Sequence, residues 1–487
     1  MEKRPNILIF MTDHQRRETM PGYGWCHAPN LTAFAKDSIQ FDNAVCTAPH
    51  CCPSRASFFT GLYPSDHGVW NNVVVGNTLS RGLAAGVRTW SEDLKDSGYR
   101  MFFSGKWHVS AEESPAERGF TVLYDNRKYS GFHRSDADRV PDTHEWERYE
   151  KGLCDVSAPR RPGEIKREGY PEYFLYGKNE QPFNDQLTVD AAVRQLNRLD
   201  KGEGPWCMYV GTLGPHDPYC VPQKFLDMYD PESICLPENF HDDMQDKPAL
   251  YRRTQRRYAQ LTEKEQREAL RHYLAFCSYE DALFGQVLDA LRQNGLYDDT
   301  VILYLSDHGD YAGAHGLWAK GLPCFREAYD VPLMVHMPGG RAGRNSYPVC
   351  LTDIAPTILE MCGISAEHRM QGVSLMPLLT GIGVMPERPY RFTQSNGNEL
   401  YGIQRAVYSD KWKYVFNGFD DDELYDLEND PGELHNLAQD PQYAGVIRML
   451  CRELWMFARE NHDTILNPYI MTALAPYGPG IICGKND

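Results

Sequence analysis

Short apolar runs alternate with amphipathic stretches along the chain up to about residue 380, and this alternation restricts the fold more than any other feature of the sequence. The clearest amphipathic stretch begins at Thr262, where Thr262 and Glu265 form a capping box, and it ends at Gly295. Strands separated by such helices form βαβ units, and their parallel strands lie in one sheet with helices on both faces. The runs that predict buried strands are residues 6–11, 100–103, 207–213, 301–305 and 331–337.

The pattern changes after the proline- and glycine-bearing segment 378–389. Short alternating segments joined by turns follow, as in an antiparallel sheet, and a helix over about 441–459 comes after them. The predicted strands of this part are 401–408, 411–416 and 423–427. The sequence therefore predicts an α/β fold. Residues 1–380 form a catalytic domain with a large, mostly parallel sheet and helices on both faces, and residues 381–487 form a smaller α+β subdomain.

Composition excludes several functional classes. The formal charge of −17 argues against binding to nucleic acid or to an anionic membrane surface. No stretch approaches the roughly 20 apolar residues of a membrane span, and the apolar run at 6–11 is too short for the core of a signal peptide. These features predict a cytoplasmic protein. The 14 cysteines include no CxxC pair, so most of them are expected to be buried thiols.

Charged and imidazole side chains follow the predicted strands where each strand ends. Because the carboxyl ends of parallel strands meet at one edge of a sheet, we expect an active site at that edge. Each residue taken alone has an ordinary explanation, such as a turn or a helix cap, but four strand ends with the same pattern favour a site. The residues are Asp13 and His14 after the first strand, Lys106 and His108 after the second, His216 and Asp217 after the third, and Asp307 and His308 after the fourth, with His315 and Lys320 beyond them.

Two aspartates with neutral histidines nearby indicate one divalent cation. Carboxylate oxygens favour hard ions such as Ca²⁺, Mg²⁺ or Mn²⁺, whereas an imidazole nitrogen also accepts softer ions. The sequence contains no zinc-type spacing of cysteine and histidine.

The segment from Cys51 to Gly61, C-C-P-S-R-A-S-F-F-T-G, resembles the signature of the formylglycine-dependent sulfatases of the alkaline phosphatase superfamily. That signature is C-x-P-S-R followed by a short helix and Thr-Gly. Further similar blocks cover nearly the whole chain. They are P-N-L at 29–31, F-D-N-A at 41–44, G-K-W-H at 105–108, S-D-H-G at 306–309, L-W-A-K-G at 317–321, L-Y-D-L at 424–427, D-P-G-E at 430–433 and N-L at 436–437.

In this family a maturation enzyme oxidises the first cysteine of the signature to formylglycine and reads the cysteine, the proline and the arginine. Pro53 and Arg55 stand two and four positions after Cys51, so the resemblance selects Cys51 and not Cys52. Pro53 suits the first turn of a helix, and that places residue 51 at a helix N-terminus, where an anion is stabilised. Arg55, one turn on, can hold the nucleophile or the metal ligands beside it. The alternative is a vicinal disulfide or two buried thiols.

The resemblance implies one cation, with Ca²⁺ expected and Mg²⁺ or Mn²⁺ as alternatives. Many sulfatases have two consecutive aspartates where this chain has Asp13 and His14, so His14 is left open as a ligand, as the partner of a ligand, or as neither. Where other members have asparagine, this chain has His308. The ligands implied by position are residue 51, Asp13, Asp307 and His308.

The resemblance also implies how the side chains act. One hydroxyl of a hydrated formylglycine attacks sulfur and displaces the alcohol, and sulfate leaves as the aldehyde returns. Charge gathers on the sulfuryl oxygens in the transition state, where fixed cations act most strongly. The implied roles are charge neutralisation by Lys106 and Lys320, proton donation to the alcohol by His216, and proton acceptance by Asp307 and then His108.

The expected substrate is a small sulfated molecule. The leading prediction is an exo-acting carbohydrate sulfatase, and the alternatives are an aryl, steroid or choline sulfatase. Phosphonate monoester and phosphodiester hydrolases of the same superfamily typically lack the serine found here at Ser54. A non-catalytic sulfoglycan-binding protein would have lost histidines or lysines. Residues 111–197 are predicted to be an irregular stretch, rich in proline, glycine, tyrosine and charged residues, that supplies loops around the site. Substrate specificity is assigned to this stretch, where His133 and Arg134 could contact a sugar or lie in a surface loop, and to the C-terminal segment.

Overall fold

The computed structural model describes residues 4–74, 78–126, 152–200, 202–398, 400–465 and 474–483. The strands within these ranges are β1 (Asn6–Thr12), β2 (Ile39–Phe41), β3 (Ala44–Val45), β4 (Arg100–Gly105), β5 (Thr121–Asp125), β6 (Tyr176–Lys178), β7 (Trp206–Gly211), β8 (Tyr219–Val221), β9 (Thr300–Ser306), β10 (Leu333–His336), β11 (Gly343–Asn345), β12 (Val349–Cys350), β13 (Arg391–Gly397), β14 (Tyr401–Tyr408), β15 (Trp412–Asn417) and β16 (Glu423–Asp426). The helices are α1 (Pro29–Phe34), α2 (Cys51–Thr60), α3 (Pro64–His67), α4 (Trp90–Asp96), α5 (Asp185–Leu196), α6 (Gln223–Leu226), α7 (Ala249–Gln255), α8 (Glu263–Gln293), α9 (Arg326–Tyr329), α10 (Ile354–Met361), α11 (Met376–Thr380) and α12 (Ala444–Glu460).

An eight-stranded sheet with the order β11-β2-β10-β9-β1-β7-β4-β5 forms the centre of the protein. Its strands run in one direction except β10, which is antiparallel to both β9 and β2. All five buried strands predicted from the sequence are present, with ends shifted by one or two residues. The prediction of a large, mostly parallel sheet is therefore confirmed.

The sheet is buried on both faces. Along β1, Ile7, Ile9 and Met11 pack into one hydrophobic layer, while Leu8 and Phe10 pack into the other. Side chains of a strand alternate between the two faces of a sheet, and burying each large apolar side chain contributes about 1.5–3 kcal/mol. Helices cover both layers, as the alternation of strands and helices requires.

The longest helix, α8, covers one face of the sheet and begins at the predicted cap. The Thr262 hydroxyl accepts a hydrogen bond from the backbone N–H of Glu265 at 3.3 Å, and the Glu265 carboxylate accepts one from the backbone N–H of Thr262 at 2.9 Å. This reciprocal pair satisfies donors that the first turn of a helix leaves open. The capping box at Thr262 is therefore confirmed.

The described parts of segment 111–197 are more regular than its sequence predicts. It contributes β5 to the edge of the main sheet and includes the 12-residue helix α5. Val189, Ala192 and Leu196 of α5 pack in the same layer as Phe102 of β4. The prediction of an irregular stretch was wrong here because flanking prolines, glycines and charged residues obscured the helical spacing.

The C-terminal part contains a four-stranded antiparallel sheet, β13-β14-β15-β16. Helix α12 packs Leu450 and Leu454 against Tyr414 and Phe416 of this sheet. Strand β13 was not among the strands predicted individually. The predicted domain boundary at 380/381 stays a prediction. Hydrogen bonding crosses it, because the backbone N–H of Gln394 in β13 donates to the carbonyl of Thr47 in the larger domain at 2.8 Å.

Two further expectations concern cysteines and membranes. None of the 14 cysteines forms a disulfide, and most are buried, as predicted. Among the helices in the described ranges, none is both long enough and apolar enough to cross a membrane.

Candidate active site

Four neighbouring strands, β9, β1, β7 and β4, run in parallel and end at the same edge of the sheet. The side chains that follow these ends, together with the start of α2, form a group that we call the strand-end site. Its members are Asp13, His14, Cys51, Arg55, Lys106, His108, His216, Asp307, His308 and Lys320. The strand-end pattern seen in the sequence therefore brings eight of its ten predicted members to one place, together with Cys51 and Arg55. Of the other two, Asp217 lies at the rim of the site and His315 lies outside it.

Cys51 and Cys52 begin α2 and point into different surroundings. The Cys51 thiol lies 3.3 Å from Nε2 of His308 and 3.6 Å from Oδ1 of Asp13. Cys52 packs in the hydrophobic core and accepts a hydrogen bond from the backbone N–H of Val73 at 3.3 Å. The selection of Cys51 from the signature agrees with this geometry, because only Cys51 faces the charged residues.

Arg55 lies one turn after Cys51 and is completely buried. Its Nε donates to Oδ2 of Asp307 at 2.8 Å, and one terminal nitrogen donates to Oδ2 of Asp13 at 3.1 Å. The other terminal nitrogen donates to the Tyr209 hydroxyl at 2.9 Å. Arg55 therefore joins the ends of β1 and β9 and fixes both carboxylates with respect to residue 51.

The donor atoms suit a divalent cation. One ligand atom each from Asp13, His14, Cys51 and His308 lies within 4.8 Å of the others, and all four residues are buried. Oδ1 of Asp307 is 3.7 Å from Nε2 of His308, so the second carboxylate lies at the same position. Two carboxylates and an imidazole make a set that accepts Ca²⁺, Mg²⁺ or Mn²⁺, and the imidazole extends the range to softer ions.

The two lysines have different neighbours. Nζ of Lys106 contacts Oδ2 of Asp13, so a carboxylate neutralises its charge. Nζ of Lys320 contacts Nε2 of His14 and lies 3.3 Å from Nε2 of His216. Among the described residues, Lys320 contacts no carboxylate. Lys320 is therefore the cation of the site whose charge stays open to an anionic ligand.

The two other predicted catalytic histidines also belong to the site. His108 adopts left-handed backbone geometry, with φ of 54°, and its imidazole is turned toward Cys51, which favours its charged form. Burial and then Lys106 nevertheless lower the pKa of His108 to about 4. His216 donates from Nδ1 to the backbone carbonyl of Asp217 at 2.6 Å, which leaves Nε2 facing Lys320.

The neighbouring charges shift the pKa of the Cys51 thiol and of both carboxyls. Burial favours the neutral thiol of Cys51, but Lys106 and Lys320 outweigh burial and hold the pKa of Cys51 well below its ordinary value. Burial and Cys51 oppose the ionisation of Asp13, yet the neighbouring cations lower the pKa of Asp13 to about 2. Burial and Asp13 raise the pKa of Asp307. Of the two carboxyls, Asp307 is the better proton acceptor.

His315 lies outside the strand-end site. Its Nδ1 is 2.7 Å from the Asp242 carboxylate, its Nε2 accepts from the Asn239 side chain at 2.9 Å, and its ring stacks on Phe325. We call the buried group around it the interface network, because it joins the main domain to the loop after β16. Its members are Asn239, Asp242, Lys247, His315, Glu327, Lys413 and Glu433. His133 and Arg134 fall outside the described residues.

Sequence reasoning missed two residues that contact or adjoin the site. Asp310 contacts Nδ1 of His14 through Oδ2 at 2.9 Å, and His50 precedes Cys51 with a buried imidazole. Burial, and then Lys320, lowers the pKa of His50 to about 3. The motif S-D-H-G-D could have drawn attention to Asp310, whereas nothing in the sequence distinguished His50 except its position.

The sequence model of the sulfatase family matches residues 5–364. The chain belongs to the sulfatase family. A second model, for the C-terminal part of N-sulphoglucosamine sulphohydrolase, matches residues 313–460. The enzyme is therefore a sulfuric ester hydrolase, of a family that generally uses a metal ion and formylglycine.

Relatives within the sulfatases differ in substrate. A choline-sulfatase from Rhizobium meliloti is 32% identical over 456 residues, which cover 90% of this chain and 83% of that protein. A solved complex of a protein with its substrate D-glucosamine-2-N,6-O-disulfate has a TM-score of 0.73 at 20% identity and covers 95% of this chain and 99% of the other. A phosphonate monoester hydrolase from Silicibacter pomeroyi has a TM-score of 0.75 at 22% identity and covers 95% and 97%. The two structural matches show a shared fold alone.

Proposed function

We propose that this sulfatase is exo-acting and removes sulfate from a small carbohydrate, with formylglycine at position 51 as its nucleophile and Ca²⁺ as its metal ion. The observation that carries the sulfate-ester chemistry is the meeting of Cys51, two carboxylates held by Arg55, and two lysines at the ends of four adjacent strands. A formylglycine-generating maturation enzyme is the partner that this proposal requires. We also propose a cytoplasmic location, which suits a small imported substrate.

The surroundings of His216 support a polyhydroxylated leaving group. The Asp217 side chain is 20% exposed and accepts a hydrogen bond from the Tyr173 hydroxyl at 3.0 Å. A partly exposed carboxylate and a phenol are suitable partners for sugar hydroxyls.

In the proposed reaction, a hydrated aldehyde at position 51 supplies an oxygen nucleophile. Asp13, Asp307 and His308 would hold the cation, which would supply positive charge next to that oxygen. The remaining steps belong to side chains. Lys320 binds the sulfuryl oxygens and stabilises the charge that develops there, and Lys106, whose charge is shared with Asp13, donates hydrogen bonds to them. Asp307 accepts the first proton, since its pKa is raised, and His108 accepts the second.

His216 donates the proton to the leaving alcohol. Burial and then Lys320 lower the pKa of His216, so the imidazole is neutral in the free enzyme at pH 7. An anionic sulfate ester beside Lys320 offsets that cation and raises the proton affinity of His216. Because Nδ1 donates to the Asp217 carbonyl, Nε2 is the nitrogen that reaches the leaving oxygen.

Choline sulfate is the second candidate substrate. The 32% identical choline-sulfatase favours it, and the Asp217 carboxylate would also attract a quaternary ammonium group. The ring of Phe183 lies 6.1 Å from the His216 ring and could contact the methyl groups.

Sulfate release measured by ion chromatography separates these substrates. The panel contains N-acetylglucosamine 6-sulfate, other sugar monosulfates, choline sulfate, p-nitrophenyl sulfate and a p-nitrophenyl phosphonate ester, with Cys51→Ala as the blank. We expect a sugar monosulfate to give the highest kcat/KM. A choline sulfate value about tenfold higher than every sugar value would transfer the assignment to choline, and a dominant phosphonate rate would contradict both. Mass spectrometry of the peptide containing residue 51 tests for the aldehyde.

A further inference from the structure

His14 occupies an unusual place directly after β1. It is completely buried and adopts left-handed backbone geometry, with φ of 64°. A residue other than glycine is strained in this region, and the strain persists only where the surroundings fix the residue. Both nitrogens of the ring are engaged, Nδ1 with Asp310 at 2.9 Å and Nε2 with Lys320.

We propose that His14 is a positioning residue that holds Lys320 for the sulfate group of the substrate, and that it is not a metal ligand. This proposal rests on the proposed function, because it assigns Lys320 to the sulfate group. It answers the question that the sequence left open at position 14.

The hydrogen-bonding capacities of the three side chains fix their roles. An ammonium group has only donors, so Nε2 of His14 must accept from Lys320. A neutral imidazole has one acceptor and one donor, and Nδ1 therefore donates to Asp310. Nε2 has a single lone pair, and Lys320 occupies it. The nitrogen that a metal ion would need is thus already used.

Asp310 is itself held in place, which makes the arrangement rigid. The backbone N–H of Ala312 donates to Oδ1 of Asp310 at 2.8 Å, and the Tyr219 hydroxyl lies 2.9 Å from each carboxylate oxygen. The chain of contacts therefore runs from Tyr219 through Asp310 and His14 to Lys320. A histidine whose second nitrogen is held by a carboxylate keeps one tautomer and one orientation.

The second neighbour of Lys320, His216, is also a neutral hydrogen-bond acceptor. Nε2 of His216 is 3.3 Å from Nζ, and the rings of His14 and His216 lie 4.0 Å apart. Two neutral acceptors orient the ammonium group without cancelling its charge, and its third N–H stays available. In contrast, the carboxylate of Asp13 cancels the charge of Lys106. A carboxylate at position 14 would do the same to Lys320, which explains why an imidazole is useful there.

The test compares three substitutions at position 14. His14→Gln keeps a neutral acceptor, His14→Leu removes it, and His14→Asp adds a negative charge beside Lys320. Affinity for inorganic sulfate is measured by calorimetry on the metal-loaded proteins, metal content is measured by elemental analysis, and KM and kcat are measured on the best sulfate ester. Asp13→Asn, which removes a proposed ligand, is the control for metal loss.

We expect His14→Leu and His14→Asp to weaken sulfate binding about 10-fold or more, with His14→Asp the weaker binder, and to raise KM more than they lower kcat. His14→Gln should stay within about threefold of the wild type, and all three variants should keep their metal. In a Lys320→Met background, His14→Leu should have almost no further effect on sulfate binding.

Two results would overturn the proposal. One is loss of metal from His14→Leu to the extent seen in Asp13→Asn, which would make His14 a ligand. The other is unchanged sulfate affinity in both His14→Leu and His14→Asp. Sulfate binding is measured without turnover, so the two proposals can fail separately. If the wild type hydrolyses no sulfate ester but the variants bind sulfate more weakly as expected, the proposed substrate is contradicted and the role of His14 is retained.

Discussion

The strand-end site and the interface network are two groups of largely buried charged side chains, and they differ in whether each lysine has a carboxylate partner. In the interface network, Lys413 pairs with Glu433 at 2.7 Å and Lys247 pairs with Asp242 at 3.2 Å. In the strand-end site, Lys320 lies between two imidazoles. A carboxylate partner cancels the charge of a buried cation, and the pair is then a structural contact. Neutral acceptors hold a cation without cancelling its charge, so that its positive potential can attract an anionic ligand.

The comparison also separates two histidines of one loop. His308 faces Cys51, whereas His315 faces Asp242 and Asn239. Both are fully buried, so burial alone does not identify a functional histidine. The neighbours of each histidine distinguish the two. His308 lies beside the Cys51 thiol and the candidate cation position, whereas His315 is held by a carboxylate and an amide.

The largest expected effect comes from the two adjacent cysteines. Cys51→Ala removes the proposed nucleophile and should lower kcat by at least about 10⁴-fold. Cys52→Ala removes a core thiol and should cost about 1 kcal/mol of unfolding free energy while kcat stays within about threefold. Steady-state assays and urea unfolding of both variants test this pair. An equal loss of activity in Cys51→Ala and Cys52→Ala would mean that the direction in which each thiol points does not determine which cysteine is needed for activity.

A second contrast uses the leaving group. His216→Asn should lower kcat/KM on a sugar sulfate by roughly 10²-fold or more, because an alkoxide needs a proton, and by less than about tenfold on p-nitrophenyl sulfate. The matched control is His315→Asn in the interface network, which should change both substrates by the same factor. A uniform loss in His216→Asn would remove His216 from the role of proton donor.

The third prediction concerns stability in the two groups. Lys413→Met leaves Glu433 buried without its cation and should lower the free energy of unfolding by about 3–5 kcal/mol, with kcat unchanged in the folded protein. Lys320→Met should do the opposite, with a large loss in kcat/KM and a small change in unfolding. Adding Glu433→Gln to Lys413→Met should restore part of the stability. A stability loss of equal size in the two lysine variants would erase the distinction between the groups.

The smallest effect concerns the pH dependence of stability and His67, whose imidazole contacts Ser57 of α2. The backbone N–H of Val69 donates to Nδ1 of His67 at 3.0 Å, and Nε2 lies 3.0 Å from the Ser57 hydroxyl. Burial lowers the pKa of His67 to about 3, so the unfolded chain binds a proton below pH 6.5 that the folded protein does not. Stability is therefore full above pH 6.5 and is lost as the pH falls toward 3, by roughly 1.4 kcal/mol per unit.

Urea unfolding at pH 7.5 and pH 5.0 checks this sign. Between these values the wild type should lose about 2 kcal/mol more than His67→Gln, which cannot take up the proton. An identical loss in the two proteins would assign the acid sensitivity to other groups.

Much of the fold and site could be predicted because both depend on local patterns. The apolar runs of β1 and β9 are read directly from the sequence, and parallel strands bring their ends together whatever the loops contain. The antiparallel direction of β10 and the edge strand β5 could not be predicted, since they depend on contacts between distant segments. The helix α5 was hidden by its flanks.

The same limit applies to the side chains. The signature located Cys51 and Arg55, but the sequence could not show that Arg55 bridges Asp13 and Asp307. It also could not separate Lys320 from His315, since both follow the fourth strand. Their separation depends on a turn at Gly313–Gly316 and on Asn239, which lies far away in the chain.

The burial of Arg55 determines whether Cys51 can be modified before or after the chain folds. Cys51, Pro53 and Arg55 are all buried, and Arg55 is bonded to Asp307, 252 residues downstream. An enzyme that must touch these three residues can reach them only before β9 completes the sheet. The proposed conversion of Cys51 therefore has to take place after synthesis and before folding is complete. Supplying the maturation enzyme during expression should yield converted protein, whereas adding it to folded chains should come too late.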